Sequence, residues 1–205
     1  MRAMKRIVIL ISGRGSNMEA ILRAASVEKW PAQVVAVISN KAKAGGLETA
    51  KAAGIAARVV EHLAYPYRAQ FDQAMSAVID EYSPDLVVLA GFLRILTPAF
   101  VMHYHGRLLN IHPSLLPSFP GLDTHRRALE AGVKFHGATV HFVTPELDHG
   151  PIIEQAAVPV MDTDTEDTLA SRVLEQEHVI YPRAVRDFIE GRYTLTDGRV
   201  VRHSN

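Results

Sequence analysis

The sequence predicts an α/β fold: a parallel sheet flanked by helices, with an antiparallel portion in the C-terminal half. Three observations lead there. Short apolar runs rich in β-branched residues alternate with segments of helical periodicity through the first 90 or so residues. The connections between them are short. Beyond residue 105 the pattern changes, and strand-like runs at 107–111, 138–143 and 152–160 surround a Pro-rich loop and one short helix. The first pattern is that of parallel strands joined by right-handed crossovers.

Taken in order, Arg6 to Ser12 is a continuous run typical of a strand buried on both faces. Glycines follow at 13 and 15, and Ser16-Asn17-Met18-Glu19 opens a helix. Ser16 and Glu19 have capping-box spacing, and Met18, Ile21, Leu22 and Ala25 form an apolar stripe. Gln33 to Ser39 reads as a second buried strand, Leu47 to Ala53 as a short helix stopped by Gly54, and Ala57 to Val60 as a third strand. Ala69 to Tyr82 is helical, with Phe71, Met75, Val78 and Ile79 on one side, and Asp85 to Ala90 is the fourth strand. In such sheets ligands sit at the carboxyl ends of the strands, here the turns after Ser12, Ser39 and Ala90. In the second half, Ser114 to Gly121 is the Pro-rich loop and Asp123 to Ala131 a helix closed by Gly132. Thr165 to Gly191 is a long helical region with Pro182 as its one candidate break, and Thr194 to Arg202 reads as a hairpin around Asp197-Gly198. No repeat or linker interrupts the chain, so a single domain over 1–205 is expected. Its halves are about 1–105 and 106–192, with a tail at 193–205.

Composition removes several functions. There is no cysteine among the 205 residues, which excludes disulfide scaffolds, thiolate nucleophiles and iron–sulfur ligation. Lys plus Arg and Asp plus Glu both number 22, and a zero balance disfavours bulk nucleic-acid or acidic-membrane binding. The apolar run Ile7–Ile11 is shorter than the ~7–15 residues of a signal h-region. A soluble cytoplasmic protein is expected.

Four segments can carry chemistry. Ser12-Gly-Arg-Gly-Ser-Asn17 joins a strand to a helix, where free backbone amides favour an anion. Met18 stands where a dinucleotide fingerprint needs its third glycine, and Ser39-Asn40-Lys41 offers no acidic ribose partner. The loop suits one phosphate group, or is a plain tight turn. Gly91-Phe-Leu-Arg-Ile-Leu96 follows a buried strand and either holds a flat aromatic ligand or caps the sheet. Asn110 and His112, two apart on a strand, share a face, and an amide beside an imidazole suits a developing oxyanion. Asp148, in Leu147-Asp148-His149-Gly150, is either a turn residue or, if it reaches His112, a group that orients the ring and favours its charged form. No metal is expected: His103 and His105 lie in a loop or helix end, and Glu175-x-x-His178 stands alone.

These segments resemble the folate-dependent formyltransferases of purine biosynthesis from about Arg6 to Gly191. The resemblance rests on Ile11 to Asn17, Leu89 to Leu96, Leu108 to Pro117, Gly137 to Val143 and Gln176-Glu-His178. It implies a Rossmann-like formyltransferase fold and transfer of a formyl group from 10-formyltetrahydrofolate to the amine of glycinamide ribonucleotide, without a metal. It implies that Gly15, Ser16 and Asn17 bind the phosphate and that Glu177 holds the ribonucleotide. It further implies that Arg68 meets the folate tail, that Leu93, Arg94, Ile95 and Leu96 line the pterin pocket, and that Thr144, Pro145, Glu146, Leu147 and Asp148 form a loop over it. Asn110, His112 and Asp148 would be the catalytic group, with Asn110 also touching the folate. Ser118, Leu93 and Asp123 depart from the family's frequent basic residue, Met and His, and the tail from Tyr193 has no clear counterpart. The expected partners are two small molecules, with no nucleic acid or membrane, for a monomer or homodimer. Other formyl-folate transferases and hydrolases, which carry an extra domain, are the nearest rival reading, and this chain is expected to lack that domain. A non-catalytic phosphoribosyl-binding module and a nicotinamide oxidoreductase are the readings from other classes.

Overall fold

The computed structural model describes residues 4–203. They form two compact units, one ending at Leu109 and the other beginning at Asn110. The first holds β1 (Lys5–Ile11), α1 (Ser16–Val27), β2 (Ala32–Ser39), α2 (Gly46–Ala52), β3 (Ala56–Val59), α3 (Arg68–Asp80), β4 (Leu86–Leu89) and α4 (Pro98–His103). A 3-10 turn, His62–Ala64, precedes α3. β5 (Leu108–His112) crosses the boundary residue. The second unit continues with α5 (Thr124–Glu130), β6 (Phe135–Phe142), β7 (Ile152–Pro159), α6 (Glu166–Ile189), β8 (Tyr193–Thr196) and β9 (Arg199–Arg202). Seven strands follow the order β3-β2-β1-β4-β5-β6-β7, and β8 and β9 form a separate pair.

In the first unit β1 lies between β2 and β4 and runs parallel to both, with Ile9 opposite Val37 on one side and Val88 on the other. Ile7, Val8, Ile9, Leu10 and Ile11 are all fully buried. This is why the run shows no polar alternation: both faces are covered, and each such side chain contributes ~1.5–3 kcal/mol of burial. In the second unit β6 and β7 are antiparallel, with Ala138 opposite Ala156. The β8–β9 turn places Asp197 and Gly198 at positive φ, as a tight hairpin turn requires. The tail is therefore built into the second unit: Tyr193 is buried and its hydroxyl donates to the Ala184 carbonyl at 2.9 Å, while Arg202 pairs with Asp187 at 2.8 Å.

The structure departs from the sequence pattern at three places. Ser16 does not cap α1; Gly15 is the cap residue, in a left-handed conformation and without a side-chain bond, and Glu19 instead accepts from Thr49 at 3.3 Å. A helix also forms at 98–103, where Thr97 caps and Pro98 occupies the first turn. Finally, α6 runs unbroken through Pro182. Proline costs an interior helix ~3 kcal/mol, but Leu169, Val173, Ile180, Tyr181, Pro182, Ala184 and Val185 are all buried, and that packing outweighs one missing hydrogen bond.

Candidate active site

The second unit assembles a polar cluster from three segments. Asn110 and His112 lie two apart near the end of β5, and Asp148 lies on the loop between β6 and β7. His112 Nδ1 is 3.5 Å from Asp148 Oδ2, and both side chains are about nine-tenths buried. The other ring nitrogen, Nε2, donates to the Phe119 carbonyl at 3.0 Å, since a carbonyl can only accept. The ring is thus gripped from both sides, with a carboxylate at one nitrogen and a carbonyl at the other.

Asp148 reaches this position through the shape of its loop. Its φ is +52°, a left-handed conformation that Asp tolerates better than most residues. Its Oδ2 also accepts the Gly121 N–H at 2.8 Å, which joins the Pro-rich loop to the cluster. Gly150, two residues on, admits no side chain, because a Cβ there would collide with the Phe142 carbonyl oxygen. The Pro-rich loop is fixed from beneath by Thr139, whose hydroxyl donates to the Ser114 carbonyl at 2.7 Å and accepts the Leu116 N–H at 3.0 Å.

A fourth member, His141 on β6, was not singled out by the sequence reading. Its Nδ1–H donates to the Phe142 carbonyl at 2.9 Å, so Nε2 carries the lone pair. That lone pair faces Asn110 Nδ2 at 3.3 Å and orients the amide. Burial holds the His141 ring below the usual histidine range, although the Phe142 bond and the Asp148 charge work against this, and the neutral form is what an acceptor role requires. The available signal was the period-two alternation of β6, which puts Thr139 and His141 on one face.

The first unit provides three loop ends. The amino end of α1 lacks a side-chain cap, and a helix amino end of this kind favours an anion. Gly15 has φ +79°, and a Cβ there would press on Met18. Ser16 is half-buried and Asn17 buried. The loop after β4 is anchored at both ends: Leu93 N–H donates to Ser12 Oγ at 2.8 Å, and Thr97 N–H to Asp72 Oδ2 at 2.6 Å. Between these anchors, Leu93 and Ile95 are exposed, Leu96 is half-buried and the Arg94 guanidinium lies over the Phe71 ring. Arg68 is the exposed first residue of α3.

Of the remaining expected residues, Thr144, Pro145, Glu146 and Leu147 lie on the loop that carries Asp148, with Leu147 exposed and the Thr144 hydroxyl donating to the Glu146 carbonyl at 3.2 Å. Glu177 is buried midway along α6. Ser118 is exposed, and Asp123 is the left-handed cap residue of α5, its carboxylate 2.7 Å from Arg126. Among the described residues no three His, Asp or Glu side chains gather at metal-binding range.

A strand-end Asn and His and a loop carboxylate are thus brought together in the second unit. Residues 5–185 match the formyl transferase family, and the chain belongs to it. The phosphoribosylglycinamide formyltransferase of Escherichia coli (strain K12) is 57% identical over 189 residues, covering 92% of this chain and 89% of that protein. The trifunctional purine biosynthetic protein adenosine-3 of Homo sapiens is 48% identical over 190 residues; these are 93% of this chain but only 19% of that longer protein. Among solved structures, glycinamide ribonucleotide transformylase 1 from Symbiobacterium toebii aligns with a TM-score of 0.96 at 48% identity, covering all of this chain and 96% of its own.

Proposed function

We propose that this chain is a phosphoribosylglycinamide formyltransferase, which moves the formyl group of 10-formyltetrahydrofolate to the amine of 5′-phosphoribosylglycinamide in de novo purine biosynthesis. The observation that carries the reading is the buried cluster of Asn110, His112 and Asp148, with His141 behind the amide. The similarity to enzymes of that name supports the choice of substrates.

The chemistry follows from these groups. The substrate amine, once neutral, attacks the formyl carbon, and a C–N bond forms as the carbonyl oxygen becomes negative. Asn110 Nδ2 has a second hydrogen beyond the one directed at His141, and that hydrogen suits the developing oxyanion. His112 joins it when Nε2–H exchanges the Phe119 carbonyl for the formyl oxygen. The attacking nitrogen must lose a proton and the folate N10 must gain one as its bond to the formyl carbon breaks. His112 and a water held by Asp148 are placed to relay it. No enzyme-bound acyl group is needed, so alignment of the two substrates supplies much of the rate.

In this reading the uncapped turn Gly15, Ser16 and Asn17 takes the ribonucleotide phosphate, and Glu177 holds the same substrate. Leu93, Arg94, Ile95 and Leu96, with Arg68 and the Thr144–Asp148 loop, take the formyl donor. A cytoplasmic location belongs to the same reading; among the described residues no helix is long and apolar enough to cross a membrane. A spectrophotometric assay with a formylated folate analogue and glycinamide ribonucleotide tests it. Enzyme-dependent release of the deformylated folate that requires the ribonucleotide is expected. Release without the ribonucleotide, or none at all, overturns the assignment.

A further inference from the structure

We propose that the hydroxyl of Ser12, held by Asn40, is a positioning group for the formyl-donor loop 91–96. The inference rests on the assignment of that loop to the donor. Ser12 closes the end of β1 and is buried, with an exposure of 4%, and Asn40 behind it is fully buried. Ser12 Oγ lies 2.6 Å from Asn40 Oδ1 and 2.8 Å from Leu93 N. The direction of this chain is fixed. A peptide N–H only donates and an amide oxygen only accepts, so the hydroxyl hydrogen points at Asn40 and its lone pair receives Leu93. Asn40 is held in turn by the 3-10 turn, since its carbonyl accepts both His62 Nδ1–H at 2.8 Å and the His62 N–H at 3.3 Å.

Leu93 and Ile95 expose their side chains, at 70% and 59%, so apolar packing does not hold the loop at those positions. What holds it there is hydrogen bonding of its main chain: Leu93 N–H to the Ser12 side-chain hydroxyl, and the Gly91 carbonyl to the Ser12 N–H at 3.1 Å. A donor that lies on such a loop is placed by where the backbone is fixed. Removing the hydroxyl leaves the Leu93 amide hydrogen and the buried Asn40 amide oxygen without this partner, and the loop end shifts to find others. Because alignment dominates this reaction, a small shift is felt in donor use.

The experiment is steady-state kinetics on the full chain, with both substrates varied and melting temperatures recorded. Ser12→Ala is expected to raise the KM of the formyl donor about tenfold while leaving that of the ribonucleotide within about twofold. Ser12→Thr, which keeps the hydroxyl, is expected to restore the donor KM. Asn40→Ala is expected to raise it too, and the double variant to do no worse than the more affected single variant, because both act through one hydroxyl. A donor KM unchanged in Ser12→Ala, even with a lowered melting temperature, overturns the inference. So does failure of Ser12→Thr to restore it, or a double variant whose effects multiply. Ile95→Asp separates the inference from the loop assignment beneath it. If that variant leaves the donor KM unchanged, the assignment falls and the inference with it. If it raises the donor KM where Ser12→Ala does not, only the inference falls.

Discussion

The two units build their candidate sites from different material. In the first, the groups offered to a ligand are main-chain ones: the amino end of α1, which has no side-chain cap, and the anchored backbone of loop 91–96. In the second they are side chains, each held by another residue: Asn110 by His141, and His112 by Asp148 and Phe119. A backbone site tolerates changes of side chain but not of conformation or charge. A side-chain cluster fails when a single functional group is removed.

The largest test of this contrast is His112→Ala. Turnover should fall by ~10²–10⁴-fold, the usual scale for a lost acid or oxyanion donor, with donor binding nearly unchanged. Wild-type turnover in that variant would remove the cluster from the chemistry. Asp148→Asn comes next. Asn accepts the left-handed conformation at 148 and can still accept from Gly121, so the turn survives and only the charge is lost. Single-turnover rates should drop by roughly 10²-fold while both substrates still bind. Near-normal rates would reduce Asp148 to a turn residue.

The backbone site is sharpened by Ser16→Asp. Substituting Gly15 mixes two effects, because its left-handed φ and its contact with Met18 add strain. An aspartate at 16 instead favours the start of α1 by complementing the helix dipole, yet repels a phosphate. The KM for the ribonucleotide should rise by about 10–100-fold, with the donor KM and melting temperature held. Equal increases for both substrates would mean that the turn is only structural.

The smallest expected effect concerns acid stability of the second unit. His136, almost fully buried, stands edge-on to His125 at 5.2 Å, and burial, with the neighbouring His125 and His112, pushes its pKa down to about 4. Between the ordinary histidine value near 6.5 and that point, the unfolded chain takes a proton that the folded one refuses. The stability contributed is complete above about pH 6.5 and is lost as pH falls through about 4, on the order of 3 kcal/mol. Denaturant melts across that range should show wild type losing this stability as pH falls while His136→Phe does not; a variant as acid-sensitive as wild type places the effect elsewhere.

The alternation of strands and helices in the first unit was legible because a strand covered on both faces must be apolar throughout, as Ile7–Ile11 is. The segments that carry the candidate site could be picked out too, because glycines and a Pro-rich stretch mark strand-end loops. The role of His141 was not, since nothing in a β-strand pattern tells a packed imidazole from one that orients an amide 31 residues away. Nor was the helix at 98–103, although Thr97-Pro98 is a cap signal; at six residues it is too short to show a period.

By itself, then, the sequence determined most of the elements, the order of those it showed, and which strand ends carry polar groups, because periodicity and turn chemistry are local. Tertiary structure alone decided that Asp148 reaches His112, that α6 continues past Pro182, and that Ser12 meets Asn40 and Leu93. Each of these depends on atoms distant in the chain: a hydrogen bond needs its partner's position, and a proline's cost is set against the packing of the whole helix face.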